Sequence, residues 1–250
     1  MLKICIFPQV MVFLTILVAI IYLVKFLPKN MSSEGLKLTF LDLETLGHLS
    51  LRRVQIGEET WCLYPNHEII EKGAVVADPV TREIVSGGEF EIKISPTGVG
   101  ETLMDPETEK ITHYLARKRA GEWAKAVSLQ EGMRKLLEFS AQFGKLVLGN
   151  QNFFFDWSFM IVARAVCGIT EAQWGKYFHY GMFDTRSMAI QELWVPGMPF
   201  NPSDYSVRQD LLCQTLGIPP EPVPHTALNG AKTAFMVWKK LTELKEKRLA

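Results

Sequence analysis

Apolar positions along the chain change period several times, and each change marks an element. Residues 4–24 form an almost unbroken apolar run without a charge. Leu36 to Leu43 is short and mostly apolar and reads as a strand. His67 to Ala77 gives a second strand through Ile69, Ile70, Ala74, Val75 and Val76. In Glu83 to Ser95, Ile84 and Val85, then Phe90, Ile92 and Ile94, predict a third, which Pro96 stops. Gly87-Gly88 predicts a kink or bulge in it. Three successive strands favour an antiparallel meander. Helical patterns follow. Pro106 to Ala126 is polar and reads as two short helices broken at Gly121. Ser128, with Glu131 three residues on, predicts an N-cap for a helix reaching Phe143, with Leu129, Met133, Leu136 and Leu137 in its apolar stripe. Lys145 to Leu148 reads as a buried strand, and Asp156 to Cys167 as an apolar helix closed by Gly168. Gly181 to Asp184 reads as a strand leading into a helix through Trp194. Tyr205 to Leu216 reads as a helix capped by Gly217. Thr226 to the end predicts a long helix with Ala227, Ala231, Ala234, Trp238 and Leu241 on one side. Strands alternating with crossover helices predict an α/β fold with a mixed sheet flanked by helices.

Composition sharpens this picture at one end. A chain of 250 residues, 48% hydrophobic and 22% charged, excludes a disordered chain or a rod and suits one domain with an appendage. The appendage is 1–30. Ile4 to Val24 is uncharged and long enough for a helix to cross a bilayer, which takes ~20 residues. Lys3 precedes it, and Lys25 and Lys29 follow without a small-residue cleavage pattern. A single-pass, uncleaved membrane anchor is therefore expected over a cleaved signal peptide. Residues 31–36 form a polar linker and 37–250 the domain. The flanking lysines are too evenly placed to set orientation. Without residues 1–30 the chain holds 24 basic and 27 acidic residues, so bulk positive charge is excluded as a means of gripping nucleic acid. Cys62, Cys167 and Cys213 lack metal-type spacing, and buried free thiols in a reducing compartment, on the cytosolic side, are expected.

Three segments carry chemistry. In Phe40-Leu41-Asp42-Leu43-Glu44-Thr45-Leu46-Gly47, two carboxylates lie two residues apart at a strand end, hence on one face. Such a pair repels itself unless a cation sits beside it. The bland alternative is a polar strand end. In Asn150-Gln151-Asn152-Phe153-Phe154-Phe155-Asp156, one acid opens an aromatic helix, where it also complements the helix dipole. His225-Thr226-Ala227-Leu228-Asn229-Gly230-Ala231 opens the last helix and by itself says little.

Asp-x-Glu on the first strand, Asn-x-x-Phe-Asp opening a middle helix and His-x-Ala-Leu opening the last one together resemble the DEDDh family of 3′–5′ exonucleases. The resemblance runs from about residue 37 to 241 and implies an RNase H-like fold. It implies phosphodiester hydrolysis at the 3′ end of short or single-stranded RNA or DNA. Two ions of Mg²⁺ or Mn²⁺ are implied, held by Asp42, Glu44 and Asp156. Asp42 would bridge both ions, Glu44 would bind the one on the nucleophile side, and Asp156 would hold the second. Carboxylates suit such ions, and His225 would serve as the general base. Thr45, Leu46, Asn152 and Phe155 are the implied substrate contacts.

One position departs from the family. The last helix normally carries an Asp five residues after the His, and this chain has Gly230 there, with Ala227, Leu228 and Ala231 kept. Two readings follow. One is an exonuclease, active or attenuated. The other is a membrane-tethered pseudo-exonuclease that binds nucleic-acid ends or a protein without cutting. Asp184 and Asp204 are candidate stand-in ligands, with helix caps as the bland alternative. Arg117-Lys118-Arg119, with Lys110 and Lys125, is the densest basic patch, either a phosphate contact or a solvated helix face.

Overall fold

The computed structural model describes residues 35–47, 51–56, 60–65, 67–102, 104–193 and 209–250. The expected anchor 1–30, nearly all of the linker and Asp204 lie outside the described residues. Among those described, no helix is long and apolar enough to cross a membrane.

The order of elements is β1 (Lys37–Thr45), β2 (Leu51–Ile56), β3 (Thr60–Pro65), β4 (Ile69–Ala77), β5 (Ile84–Lys93), α1 (Val99–Thr102), α2 (Pro106–Thr112), α3 (Tyr114–Arg119), α4 (Leu129–Ser140), β6 (Leu146–Asn150), α5 (Phe154–Val166), α6 (Glu171–Trp174), β7 (Phe178–Asp184), α7 (Thr185–Leu193), α8 (Gln209–Leu216) and α9 (Ala227–Leu249). The sheet order is β5-β4-β1-β6-β7. β5, β4 and β1 are antiparallel neighbours, and β6 and β7 run parallel to β1. The expected meander and the mixed α/β sheet are both present. The Gly87-Gly88 irregularity is there too, as a register shift between Val75 and Ala77 opposite β5.

Alternation along β1 sorts its side chains between two layers. Leu41 and Leu43 join Val76, Met133, Leu136, Leu148, Phe159 and Met160 in the core under α4 and α5. Phe40 faces the other way, with Val75, Ala231, Ala234, Phe235 and Trp238 under α9. Small residues on α9 bring its backbone close to the sheet. Gly73 of β4 completes that approach, because a Cβ there would overlap the backbone of Ala227 and Leu228. Gly73 is also the cross-strand partner of Asp42. The first turn of α9 is thereby seated on the sheet beside Asp42.

One local expectation needs correction, and two elements are additional to those expected. The break between α2 and α3 falls at His113, in the left-handed region at φ 50°, and not at Gly121. Glu109 fixes that corner, its carboxylate accepting from Leu115 N and its carbonyl from His113 N. The hairpin of β2 and β3 and the short α6 were not foreseen. Ser128 caps α4 as the sequence predicts, and the structure adds Thr226 as the cap of α9. Ser128 accepts from Glu131 N at 3.2 Å, and Thr226 caps α9 by accepting from Asn229 N at 3.2 Å.

Candidate active site

Beyond Phe40 and Gly149 the pairing of β1 with β6 ends, and the two parallel strands part. A crevice at the carboxyl ends of parallel strands, where the strand order switches from one side of the sheet to the other as it does between β1 and β6, is a recurrent ligand site. Asp42 and Glu44 stand on one side of it. Asp156, in the first turn of α5, reaches into the gap and accepts the Leu43 N–H at 3.0 Å. The side chain of Asp156 thus takes over the bond that β6 no longer offers. Asn150, the last residue of β6, donates through Nδ2 to Asp42 Oδ1 at 2.6 Å and lies 3.4 Å from Asp156 Oδ2. Its own Oδ1 is buried and has no hydrogen-bond partner among the described residues.

His225 arrives from the opposite wall, immediately before α9. Its backbone is pinned twice: His225 N donates to Ile111 O at 3.0 Å, and Arg117 Nη1 donates to His225 O at 3.2 Å. Arg117 also meets the buried Glu71 of β4 at 3.2 Å. This buried pair ties the segment that bears His225 to the sheet. The side chain of His225 is about a third exposed, and its Nδ1 is 3.7 Å from Glu221 Oε2. Ligand atoms of Glu44, Glu221 and His225 all lie within 4.8 Å of one another.

The electrostatics are those of crowded acids. Burial, only partly relieved by the Asn150 hydrogen bond, raises the Asp42 carboxyl to about 7. Burial and then the charge of Asp42 push Asp156 well above the usual range. Glu44 is raised likewise by burial, with Asp42, Glu221, Glu71 and Asp156 adding to it. Burial and Asp42 raise Glu221 to about 9. Burial lowers His225, only partly countered by Asp210, so its imidazole is neutral at neutral pH. Among the described residues no lysine or arginine pairs with Asp42, Glu44 or Asp156. Oxygen donors that repel one another, with unpartnered oxygens on Asn150 and Glu221, suit a hard divalent cation.

The substrate-contact candidates are placed differently. Leu46 is fully buried with Ile70, Tyr114 and Trp123, so its side chain belongs to the core. Thr45 is buried, and its hydroxyl donates to Gly47 O at 2.7 Å. Asn152 is exposed, at φ 55°, and accepts from Arg186 Nη1 at 3.2 Å. Phe155 is half-buried, its ring 5.1 Å from that of Phe159. Asp184 is a cap: Oδ1 accepts from Phe153 N at 3.2 Å and Oδ2 from Ser187 N at 3.0 Å. The basic patch is largely consumed internally. Arg117 is buried, Lys118 pairs with Glu101, and Lys110 pairs with Glu107.

Sequence reasoning missed Asn150, Glu221 and the Glu71–Arg117 pair. An Asn ending a strand two residues before a left-handed corner was a signal for the first. A Pro-rich stretch hides the second. Gly230 has a physical account: a Cβ there would lie within 2.6 Å of Asp42 Cγ and closer still to Oδ2.

No protein-family model matches the sequence, and no curated protein matches it. Solved structures do share its fold, and among them are exonucleases and a cell-death related nuclease. The nuclease domain of 3′hExo, described as a DEDDh family member and bound to rAMP, superposes with a TM-score of 0.58 at 15% identity, covering 84% of this chain and 92% of that one. Exonuclease I of E. coli, in complex with a dT13 oligonucleotide, gives 0.60 at 17%, covering 85% and 42%. Cell-death related nuclease 4 gives 0.60 at 11%, covering 83% and 64%. This chain therefore spans under half of exonuclease I and under two thirds of cell-death related nuclease 4.

Proposed function

We propose that the chain is a divalent-metal-dependent 3′–5′ exonuclease acting on short or single-stranded nucleic-acid ends. The observation that carries the reading is the convergence of Asp42, Glu44 and Asp156, without a paired cation, opposite a neutral His225. Asp42, Glu44 and Asp156 hold Mg²⁺ or Mn²⁺, which when bound stabilises charge on phosphate oxygens and supplies an acidic water. His225 would act as general base toward an attacking water, and its carbonyl and N–H, both hydrogen-bonded, keep the imidazole at the crevice. Asn150 fixes the carboxylate of Asp42. Phe155 and Asn152 border the entry to α5 and are the available contacts for a terminal nucleotide.

The test uses the full chain with 3′-labelled and 5′-labelled single strands of RNA and of DNA, in Mn²⁺ or Mg²⁺ and with EDTA. Mononucleotides released first from the 3′ label, and no release in EDTA, are expected. Binding to these strands without release in either metal would leave the pseudo-exonuclease reading, which Gly230 favours. We also propose that residues 4–24 tether the protein to a membrane, a reading supported by their charge-free apolar length. Full-length protein is then expected to stay in the pellet after a carbonate wash, and recovery in the supernatant would refute the tether.

A further inference from the structure

The position that carries the fourth acid in the exonuclease pattern has no room for one here. The backbone of α9 at Gly230 lies against the carboxylate of Asp42, held there by the seating of Ala227 and Leu228 on Gly73. The same crevice nevertheless contains a fourth carboxylate. Residues 217–226 lead from α8 to α9 and carry Glu221 inward. Its side chain is only 11% exposed. Oε1 is buried and without a hydrogen-bond partner among the described residues. The carboxylate accepts from the Thr226 backbone N–H and, through Oε2, weakly from Gln209 Nε2 at 3.4 Å, with His225 Nδ1 at 3.7 Å, but among the described residues no lysine or arginine pairs with it. A buried carboxylate left this way is expensive unless something positive completes it. Asn150 Oδ1, buried beside Asp42 and Asp156, is likewise unpartnered. Two orphaned oxygens thus lie among the site's donors, one on each wall of the crevice.

Resting on the exonuclease reading, we propose that Glu221 is the fourth acidic ligand of the site, holding a divalent cation together with Glu44. It takes over from the loop the role that α9 cannot fill at 230. The ligand atoms of Glu44, Glu221 and His225 already lie within 4.8 Å of one another, close enough to close around one ion with small side-chain adjustments. Glu221 and His225 lie four residues apart on the same connector, so one segment carries both to the crevice. Asn150 presents a further neutral oxygen donor on the far side, next to Asp42.

The test is Mn²⁺ binding, followed by loss of the free-ion resonance signal, on metal-stripped full chain. Wild type is compared with Glu221→Gln and Asp42→Asn. Glu221→Gln is nearly isosteric and removes a buried charge, so folding is kept, and the thermal midpoint without metal verifies this. Glu221→Gln is expected to weaken Mn²⁺ binding on the order of 10-fold or more and to shrink the Mn²⁺-induced rise in midpoint. Asp42→Asn is expected to weaken it at least as much. If Asp42→Asn weakens binding and Glu221→Gln leaves it at the wild-type value, Glu221 is no ligand and the inference is overturned while the exonuclease reading stands. If neither change alters binding, the metal site itself is misplaced and both fall together.

Discussion

Asp42→Asn should abolish 3′-end hydrolysis, by on the order of 10²-fold or more, while making the metal-free protein more stable. The two halves of this result have one cause. Burial raises the Asp42 carboxyl to about 7, only partly relieved by Asn150; Glu44, Asp156 and Glu221 share its crevice, with His225 beyond and the Glu71 pair with Arg117 and Lys93 behind. A carboxyl whose folded pKa exceeds its unfolded value of 3.8 binds a proton more tightly in the native state. Its contribution is fully present below pH ~4 and is lost as pH rises through about 7. In the metal-free wild type, stability therefore falls across this window. His225 slopes the other way, but only below its unfolded value of 6.5, and four acids outweigh it. Asparagine keeps an oxygen for the Asn150 amide and removes the titrating charge. The midpoint of Asp42→Asn should exceed that of wild type by about 3 °C or more at pH 7, with the gap growing from pH ~4 and levelling above about 7. Thermal melts in EDTA at several pH values read this directly. A variant less stable than wild type throughout would show that the carboxylate is structurally anchored and not strained by its neighbours.

Gly230→Asp, which restores the residue of the exonuclease pattern, should inactivate the protein instead of strengthening it. Any L side chain at 230 meets the Asp42 carboxylate, and the backbone cannot retreat because the same helix turn rests on Gly73. Relief requires Asp42 to leave its 2.6 Å bond with Asn150. Replacing a helical glycine gains roughly 1 kcal/mol in propensity. Overpacking costs about 1–3 kcal/mol, and a second buried carboxylate against Asp42 adds repulsion. The cost wins. A midpoint lowered by about 3 °C or more and a rate reduced on the order of 10²-fold, the usual penalty for a ligand displaced by an ångström, are expected in the oligonucleotide assay. A gain in activity would show that α9 and Asp42 can adopt the family arrangement, and Glu221 would then be dispensable.

The parts of the molecule that were legible in the sequence are those where pattern and function coincide. Asp42 and Glu44 stand out because a period of two places both on the face opposite Leu41 and Leu43, and the structure puts those leucines in the core. Asp156 opens an apolar helix, and His225 opens one whose small residues predict close packing. What stayed hidden depends on distant approach. Glu221 lies in Glu221-Pro222-Val223-Pro224, which reads as a connector, and only the path from α8 to α9 turns it inward. The break at His113 is invisible because a non-glycine occupies the left-handed conformation there, fixed by Glu109. Arg117 reads as part of a surface run, yet it is buried, because Glu71 on the fully buried strand β4 needs a cation. The hairpin of β2 and β3 was missed because Arg52-Arg53 breaks the alternation there.

Gly73 has one more implication. It would touch no substrate atom, yet the distance between His225 and the carboxylates is set by how near α9 rides to β4 at this residue. A methyl group added there would lift the whole first turn of α9, and His225 with it, off the strand that bears Asp42. In a survey of single replacements scored by turnover, Gly73 would register among the most sensitive positions of the chain. It would do so as a spacer, a gauge block whose thickness is part of the chemistry.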